Sequence, residues 1–515
     1  MDIYLRSARA HAPGPVRTLA VGVALALLVT IAPFGARAQD LAERVTTATL
    51  DNGLRILLVE RPAAPVISFE LAFDVGGIDE PGGLGGIAHM VEHMAFKGTR
   101  TLGPEDAEAE ATALAEIEVL ALALRHARRE GDAARVARLQ EAFDAARQRA
   151  RALARDDVLD QVLSVNGAVG LNASTGYDVT RYVVSLPANR LELYARIYAD
   201  VMANTVFRSF YAERDVVREE RRQRSEDDPQ GVLFEAFLAE AFPEHPYGRP
   251  LIGAPEEIAG YTATKAKAFY QSYYAPDRAV LVLVGDVDPE RDLPVLRRYF
   301  GEVPQRETLR TWLPEPDRPE EPRRVTVRFD AQPQVAVGYP KPTYPARDAY
   351  VLDLIDALMS QGRTSRLYQR MVLGDQSALS VTTSSAFPGI RDENMFLFYG
   401  QPRAPHGPDE LVSALQEELD RLAQEGVSER ELQKVKNQVR ADSVRALRDN
   451  ARLASQLASH EHFAGGWERL FEDLDVYASI TAEEIQEVAA RTFVPEHRTI
   501  GVLRPPETQD EEGSQ

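Results

Sequence analysis

Two histidines and a glutamate stand within five residues, His89-Met90-Val91-Glu92-His93, inside the stretch GGIAHMVEHMAFKGT from Gly85 to Thr99. On a helix His93 lies about 40° round from His89 and Glu92 about 60° the other way, so the three share one face. Imidazoles at i and i+4 can both reach one Zn²⁺, and the carboxylate between them stands where it can take a proton from a water on that metal. The order is the inverted one, H-x-x-E-H. The face is otherwise Ile87, Ala88, Met90, Val91, Met94 and Phe96, which points to burial. Buried His and Glu need partners.

A catalytic zinc site keeps three protein ligands and an open position, so the third ligand must come from another element. The stretch FYAERDVVREERRQRSEDD offers Glu213, Glu219, Glu220 and Glu226. Glu213 and Glu220 are two helical turns apart on one face. Spacing does not choose among the four, and a solvated acidic-basic helix has the same composition.

The elements that must position these groups follow from the rest of the chain. At 515 residues it exceeds one ordinary core and implies two or more domains. There is no cysteine, so disulfides are excluded and any metal must use His, Asp or Glu. The net charge of −20 argues against nucleic acid or an anionic membrane surface as partner. Residues 1–38 read as a secretory signal peptide. Arg6, Arg9 and Arg17 precede an apolar run from Leu19 to Ala32, and Ala36-Arg37-Ala38 supplies the cleavage signal. Its removal takes away four arginines and one aspartate and leaves −23. The expected location is therefore outside the cytoplasm, in the periplasm of a Gram-negative bacterium, with no membrane span in the mature chain.

Asn52-Gly53 marks a hairpin turn between two strands. Ile67, Phe69, Leu71, Phe73 and Val75 alternate as in a half-buried strand. Residues 104–160 are rich in Ala, Leu, Glu and Arg and are divided at Glu130-Gly131-Asp132. They read as an inserted helical hairpin, either a contact arm or a solvated pair. A helix is expected from Pro187 to about Asn204 and another across Phe210 to Glu226. A Pro- and charge-rich linker covers 311–324. An internal repeat relates the two halves: Thr262/Thr481, Ala263/Ala482 and Pro276/Pro495 share an offset of 219, each in a helix–proline–buried-strand segment. The expected organisation is α+β, with two homologous α/β-sandwich-type domains at 44–310 and 325–505 and a disordered acidic tail at 506–515.

These residues resemble the pitrilysin/insulinase-type inverted-motif (HxxEH) zinc metallopeptidases, in their half-length, bacterial processing-peptidase-like form. The resemblance rests on GIAHMVEHMAFKGT, GLNASTGYDVTRYVVSLP and ERDVVREERR, in that order. It implies that each chain is half of a clamshell. It implies His89, His93 and Glu220 as ligands of one Zn²⁺ per chain, Glu92 as general base and Glu213 as a supporting glutamate. It implies a sheet edge at Asn172 and Ala173 that takes the substrate as an added strand. The interval of 127 from His93 to Glu220 exceeds the family's, and the helical insertion accounts for the excess. Relatives that complete the site from the second domain carry an Arg and a Tyr seven apart. The matching positions in SRLYQRMVLGDQSALSV are Val372 and Leu379.

The second half lacks a metal motif, since Asp353, Asp356 and Ala357 fall where the trio would be. His460 and His462, two apart, face different ways on a helix and make a poor ligand pair. The expected function is a zinc-dependent endopeptidase acting on extended peptides or unfolded segments in an enclosed chamber. Its expected partner is a second half-length subunit that supplies the Arg and Tyr, or else a second copy in a homodimer. The alternative is a non-catalytic assembly or chaperone-like subunit on the same fold. A metal-storage role would need more sites or a His-rich tract.

Overall fold

A computed structural model of the chain describes residues 40–155, 157–314 and 318–506. The signal segment expected at 1–38 and residues 507–515 of the tail lie outside these. The first sheet contains β1 (Val45–Thr49), β2 (Arg55–Glu60), β3 (Val66–Phe73), β4 (Val169–Thr175), β5 (Thr180–Pro187) and β6 (Ala279–Gly285), in the order β1-β2-β6-β3-β5-β4. The second contains β7 (Arg323–Arg328), β8 (Gln334–Lys341), β9 (Ala378–Phe387), β10 (Asn394–Pro402) and β11 (Thr499–Arg504), in the order β7-β11-β8-β10-β9. The helices used below are α1 (Ile87–Ala95), α2 (Ala107–Glu130), α3 (Ala133–Arg151), α4 (Phe210–Arg221), α5 (Pro229–Ala241), α6 (Ala263–Tyr273), α7 (Arg347–Ser360), α8 (Asn450–Phe463) and α9 (Ala482–Thr492).

With β1 set aside, the two sheets match strand for strand. The β2/β6 and β7/β11 pairs are parallel, and the other pairs are antiparallel. The repeated sequence segment sits at equivalent places. Thr262 caps α6 by accepting from Lys265 N, and Thr481 caps α9 by accepting from Glu484 N, both at 3.2 Å. Pro276 and Pro495 then lead into β6 and β11, both almost wholly buried.

The halves of the sequence are not the units of packing. Helix α5, from the first half, lays Leu233, Phe237, Leu238 and Ala241 on the second sheet against Ala336, Met395, Leu397 and Leu503. Gly338 and Gly501 allow this close approach, because a Cβ at either would press on Phe237. In return α8, from the second half, lays Leu453, Leu457 and Ala458 on the first sheet against Leu57, Val282 and Val284. This exchange corrects the reading of β3. Its alternation suggested a strand with one face in water, yet Ser68, Glu70 and Ala72 are buried as well. Glu70 lies 3.3 Å from Arg181 and also accepts from Ser455 of α8, so the polar face of β3 is covered by the other half of the chain. Burial raises the Glu70 carboxyl pKa, and Arg181 and Ser455 oppose that shift.

The inserted segment forms an antiparallel hairpin of α2 and α3. Its ends meet, with Glu105 N donating to Leu153 O at 2.8 Å and Arg155 N to Gly103 O at 3.0 Å. It packs on the body of the first domain. Ile117, Leu124, Phe143 and Ala146 are buried, Phe143 meets Tyr211 edge-on at 5.4 Å, and Arg125 donates to Gly260 O at 2.9 Å. Among the described residues no helix is long and apolar enough to cross a membrane.

Candidate metal centre

Helix α1 begins at Gly86, whose φ of +82° and tight approach to Ile252 and Gly253 exclude a side chain. Its first amides are held by Glu80, which accepts from Gly86 N at 2.7 Å and Ala88 N at 2.8 Å. Burial pushes the Glu80 carboxyl up to about 8, and the two amide bonds oppose that shift. Tyr261 closes the same turn by donating to Gly85 O. The helix is buried on nearly every side, and this fixes the direction of its polar residues.

The imidazoles of His89 and His93 stand edge to face, with ring centres 4.7 Å apart. Helix α4 crosses α1 and brings Glu220 to both. Glu220 Oε1 is 3.7 Å from His89 Nε2, and Glu220 Oε2 is 3.5 Å from His93 Nε2. The three residues offer ligand atoms all within 4.8 Å of one another, the one such grouping among the described residues. Bonds of about 2.0–2.2 Å at tetrahedral angles put ligand atoms about 3.3–3.6 Å apart, so this donor set fits a zinc ion with little movement.

The surroundings prepare these groups. Burial, with His93 beside it, lowers His89 to about 4, so at neutral pH it is an uncharged imidazole with a free lone pair. Burial acts on His93 in the same direction but is outweighed by Glu213 and Glu220, which hold it up to about 9. A metal ion held by His89 and His93 would take the place of that proton. Glu213 Oε2 lies 3.4 Å from His93 Nδ1, while its Oε1 pairs with Lys97 Nζ at 2.8 Å. Glu220 is itself held by Arg224, whose Nη1 lies 2.7 Å from Oε1. Arg224 sits in a π-helical turn, Arg222–Glu226, that follows α4.

Of the four glutamates that spacing left open, Glu220 alone meets both histidines. Glu219 is exposed and paired with Arg222, and Glu226 is half-exposed and reaches Arg221 at 3.5 Å. Glu92 lies on the same helix face and accepts from Thr175 Oγ1 at 2.6 Å. Burial raises its pKa, and the Thr175 bond opposes this. Thr175 ends β4, the outermost strand of the first sheet, which also carries Asn172 and Ala173 opposite Val183 and Tyr182. Among the described residues one backbone edge of β4 has no strand partner. Val372 packs against the second core, and Leu379 is half-exposed at the start of β9. His460 and His462 are occupied elsewhere, by Asp473 at 2.9 Å and Ala72 O at 3.1 Å.

Glu80, Lys97, Thr175 and Arg224 escaped the sequence reading. Only Thr175 carried a signal, two residues beyond Ala173 on the strand already singled out.

Two family models match this chain in succession. Insulinase (Peptidase family M16) matches residues 55–116 and 153–255, and the Peptidase M16 inactive domain matches 260–439. The chain belongs to the M16 peptidase family. The gap between the matched segments of the first model, 117–152, coincides with most of the α2–α3 hairpin. The zinc protease PqqE of Helicobacter pylori is 27% identical over 85% of this chain and 88% of its own. A zinc protease of Mycobacterium leprae is 26% identical over 86% and 88%. A solved Helicobacter pylori protease has the same fold with a TM-score of 0.74, covering 90% of this chain and 99% of its own at 24% identity. The periplasmic protease PqqL of Escherichia coli superposes with a TM-score of 0.67 at 20% identity, over 92% of this chain but 49% of its own, which makes the present chain a half-length member.

Proposed function

We propose that the protein is an exported, zinc-dependent endopeptidase that hydrolyses extended peptides or unfolded protein segments. The observation that carries this reading is the convergence of His89, His93 and Glu220 with Glu92 on the same face. The zinc-protease names of the M16 relatives support it. His89, His93 and Glu220 would hold one zinc per chain, which supplies a Lewis acid for the scissile carbonyl and acidifies a water. Glu92 takes the proton from the attacking water and returns it to the leaving amine. Thr175 fixes the Glu92 carboxylate, and Glu213 fixes the ring of His93. The free edge of β4 at Asn172 and Ala173 accepts the substrate backbone as a further strand. An extended segment meets that edge, whereas a folded protein has no strand to offer it.

Val372 and Leu379 cannot donate a side-chain hydrogen bond to the carbonyl oxygen as negative charge builds on it. The working enzyme is accordingly read as a clamshell of this chain and a second half-length subunit that supplies the Arg and Tyr. The periplasmic placing rests on the expected leader and on the periplasmic PqqL relative.

The test is zinc content together with cleavage of an unstructured peptide, for the chain alone and with its co-purifying subunit. The expected result is one zinc per chain, lost in His89→Ala and Glu220→Ala, with cleavage strongly raised by the partner. Zinc retained in Glu220→Ala removes the ligand assignment, and full activity from the isolated chain removes the two-subunit reading.

A further inference from the structure

The α2–α3 hairpin does more than fill the interval between His93 and Glu220. Where it lies on the body of the first domain it encloses a cavity of about 500 Å³, floored by α4 and α6 and closed by the 203–209 segment. That volume is in the range of small-molecule sites. The interior is largely apolar, with Leu114 and Ile117 of α2, Ala150 of α3, and Phe207, Phe210 and Tyr270 of the body. Part of this wall, Ile117, Glu118, Arg147, Ala150 and Arg151, lies in the segment outside the family match.

The charges around the cavity run against those of the whole molecule. Six cationic side chains and two carboxylates line it, on a chain of net charge −20. Both carboxylates are engaged. Glu110 is buried against Arg208, with Oε2 2.9 Å from Nη2, and Glu118 accepts from Tyr211 Oη at 2.5 Å and Thr264 N at 3.0 Å. Arg306 is used up by the carbonyls of Tyr274 at 3.1 Å and Met202 at 3.2 Å. Arg147 lies over the ring of Phe143 and 3.8 Å from Asp144. Three cations remain, Arg100, Arg151 and Lys267, and each is exposed. Their side chains have no hydrogen-bond or ion-pair partner among the described residues. They come from three separate elements and meet at one cavity.

An apolar interior bordered by unpaired cations is complementary to a molecule with an aliphatic tail and an anionic head. The tail gains by leaving water, and the head meets positive charge that has no other partner. A neutral apolar ligand would leave those cations unused, and a cationic one would be repelled. We propose that this cavity is a binding site for a single-chain anionic amphiphile of the fatty-acid class, formed by the inserted hairpin against the catalytic domain.

The experiment is calorimetric titration of the full chain with dodecanoate below its micelle concentration. Dodecyl phosphate, a neutral dodecyl ether and dodecyltrimethylammonium are run in parallel. The expected result is saturable binding of one dodecanoate per chain, with the neutral and cationic compounds weaker by at least tenfold. Dodecyl phosphate binding tenfold tighter than dodecanoate would overturn the fatty-acid assignment. The charge reversal Arg100→Glu/Arg151→Glu/Lys267→Glu should weaken dodecanoate at least tenfold while the circular dichroism and melting temperature stay as in the parent. Leu114→Trp, which fills the interior, should abolish binding. If it does not fold, the surface charge reversal still decides. Absence of saturable binding, or equal affinity for the three head-group charges, would overturn the proposal. So would dodecanoate binding that the charge reversal leaves unchanged.

Discussion

Thr175 donates its hydroxyl to Glu92 Oε2 across 2.6 Å and so ties the outer strand of the first sheet to the carboxylate between the two histidines. The strand read as receiving the substrate therefore also holds the proposed base. Burial pushes Glu92 upward, and the Thr175 bond is the largest of the opposing effects. Thr175→Val keeps the shape and removes the donor. A hydrogen bond to a charged group contributes about 1.5–3 kcal/mol, so turnover should fall roughly tenfold to a hundredfold. The sign on pH follows directly: losing a bond to the charged form raises the pKa of Glu92. The acid limb of the kcat/KM profile should move to higher pH. An unshifted limb would show that Thr175 does not act through Glu92.

Two outer partners hold the proposed metal ligands, and they should differ in weight. Glu213 is largely buried and bridges His93 and Lys97, whereas Arg224 reaches Glu220 from a largely exposed position. Exposed ion pairs are worth little, while buried partners of a ligating histidine matter by about tenfold to a hundredfold in metal affinity. Glu213→Gln should weaken zinc binding more than Arg224→Gln, as read by competition with a chelator. The reverse ranking would place the stronger support on the Arg224 side.

The second domain keeps a trace of the site. Asp356 on α7 accepts from Thr383 on β9 at 2.5 Å, as Glu92 on α1 accepts from Thr175 on β4. No histidine pair accompanies it, and Asp353 is taken up by Tyr344, Tyr477 and Ser385. Burial raises Asp356 to about 6. A carboxyl raised in the folded state binds more protons there than when unfolded. The stability it contributes is full below the unfolded value of about 3.9 and is lost as pH rises through about 6. The loss is on the order of 3 kcal/mol by linkage. Asp356→Asn should therefore raise the melting temperature at pH 7 and leave it nearly unchanged at pH 4. A difference between variant and parent that does not vary with pH would contradict this.

Much of the site was legible because its chemistry is local. His89, Glu92 and His93 lie on one turn of one helix, so spacing alone sets their shared face. Glu220 was not separable from Glu213, Glu219 and Glu226 without the resemblance, because the choice depends on where α4 crosses α1. The two domains were visible in the 219-residue offset, where capping threonines and strand-entry prolines leave a mark. The exchange of α5 and α8 between the sheets left none. A helix apolar on one face reads the same whichever sheet it covers, and this is why the Ser68–Glu70 face of β3 was assigned to water. The hairpin was visible as helix, but its docking depends on Phe143 meeting Tyr211, a contact that periodicity cannot supply.

The central claim is that Glu92 is the proton carrier and not a ligand. Its direct test is Glu92→Gln, with zinc content and peptide hydrolysis measured on the same preparation. The amide keeps the size and can still accept from Thr175, but it cannot take a proton at neutral pH. The expected result is zinc at the parent's level with hydrolysis reduced by at least about a hundredfold, the lower bound for loss of a general base. Turnover close to the parent's, or loss of the zinc, would contradict it.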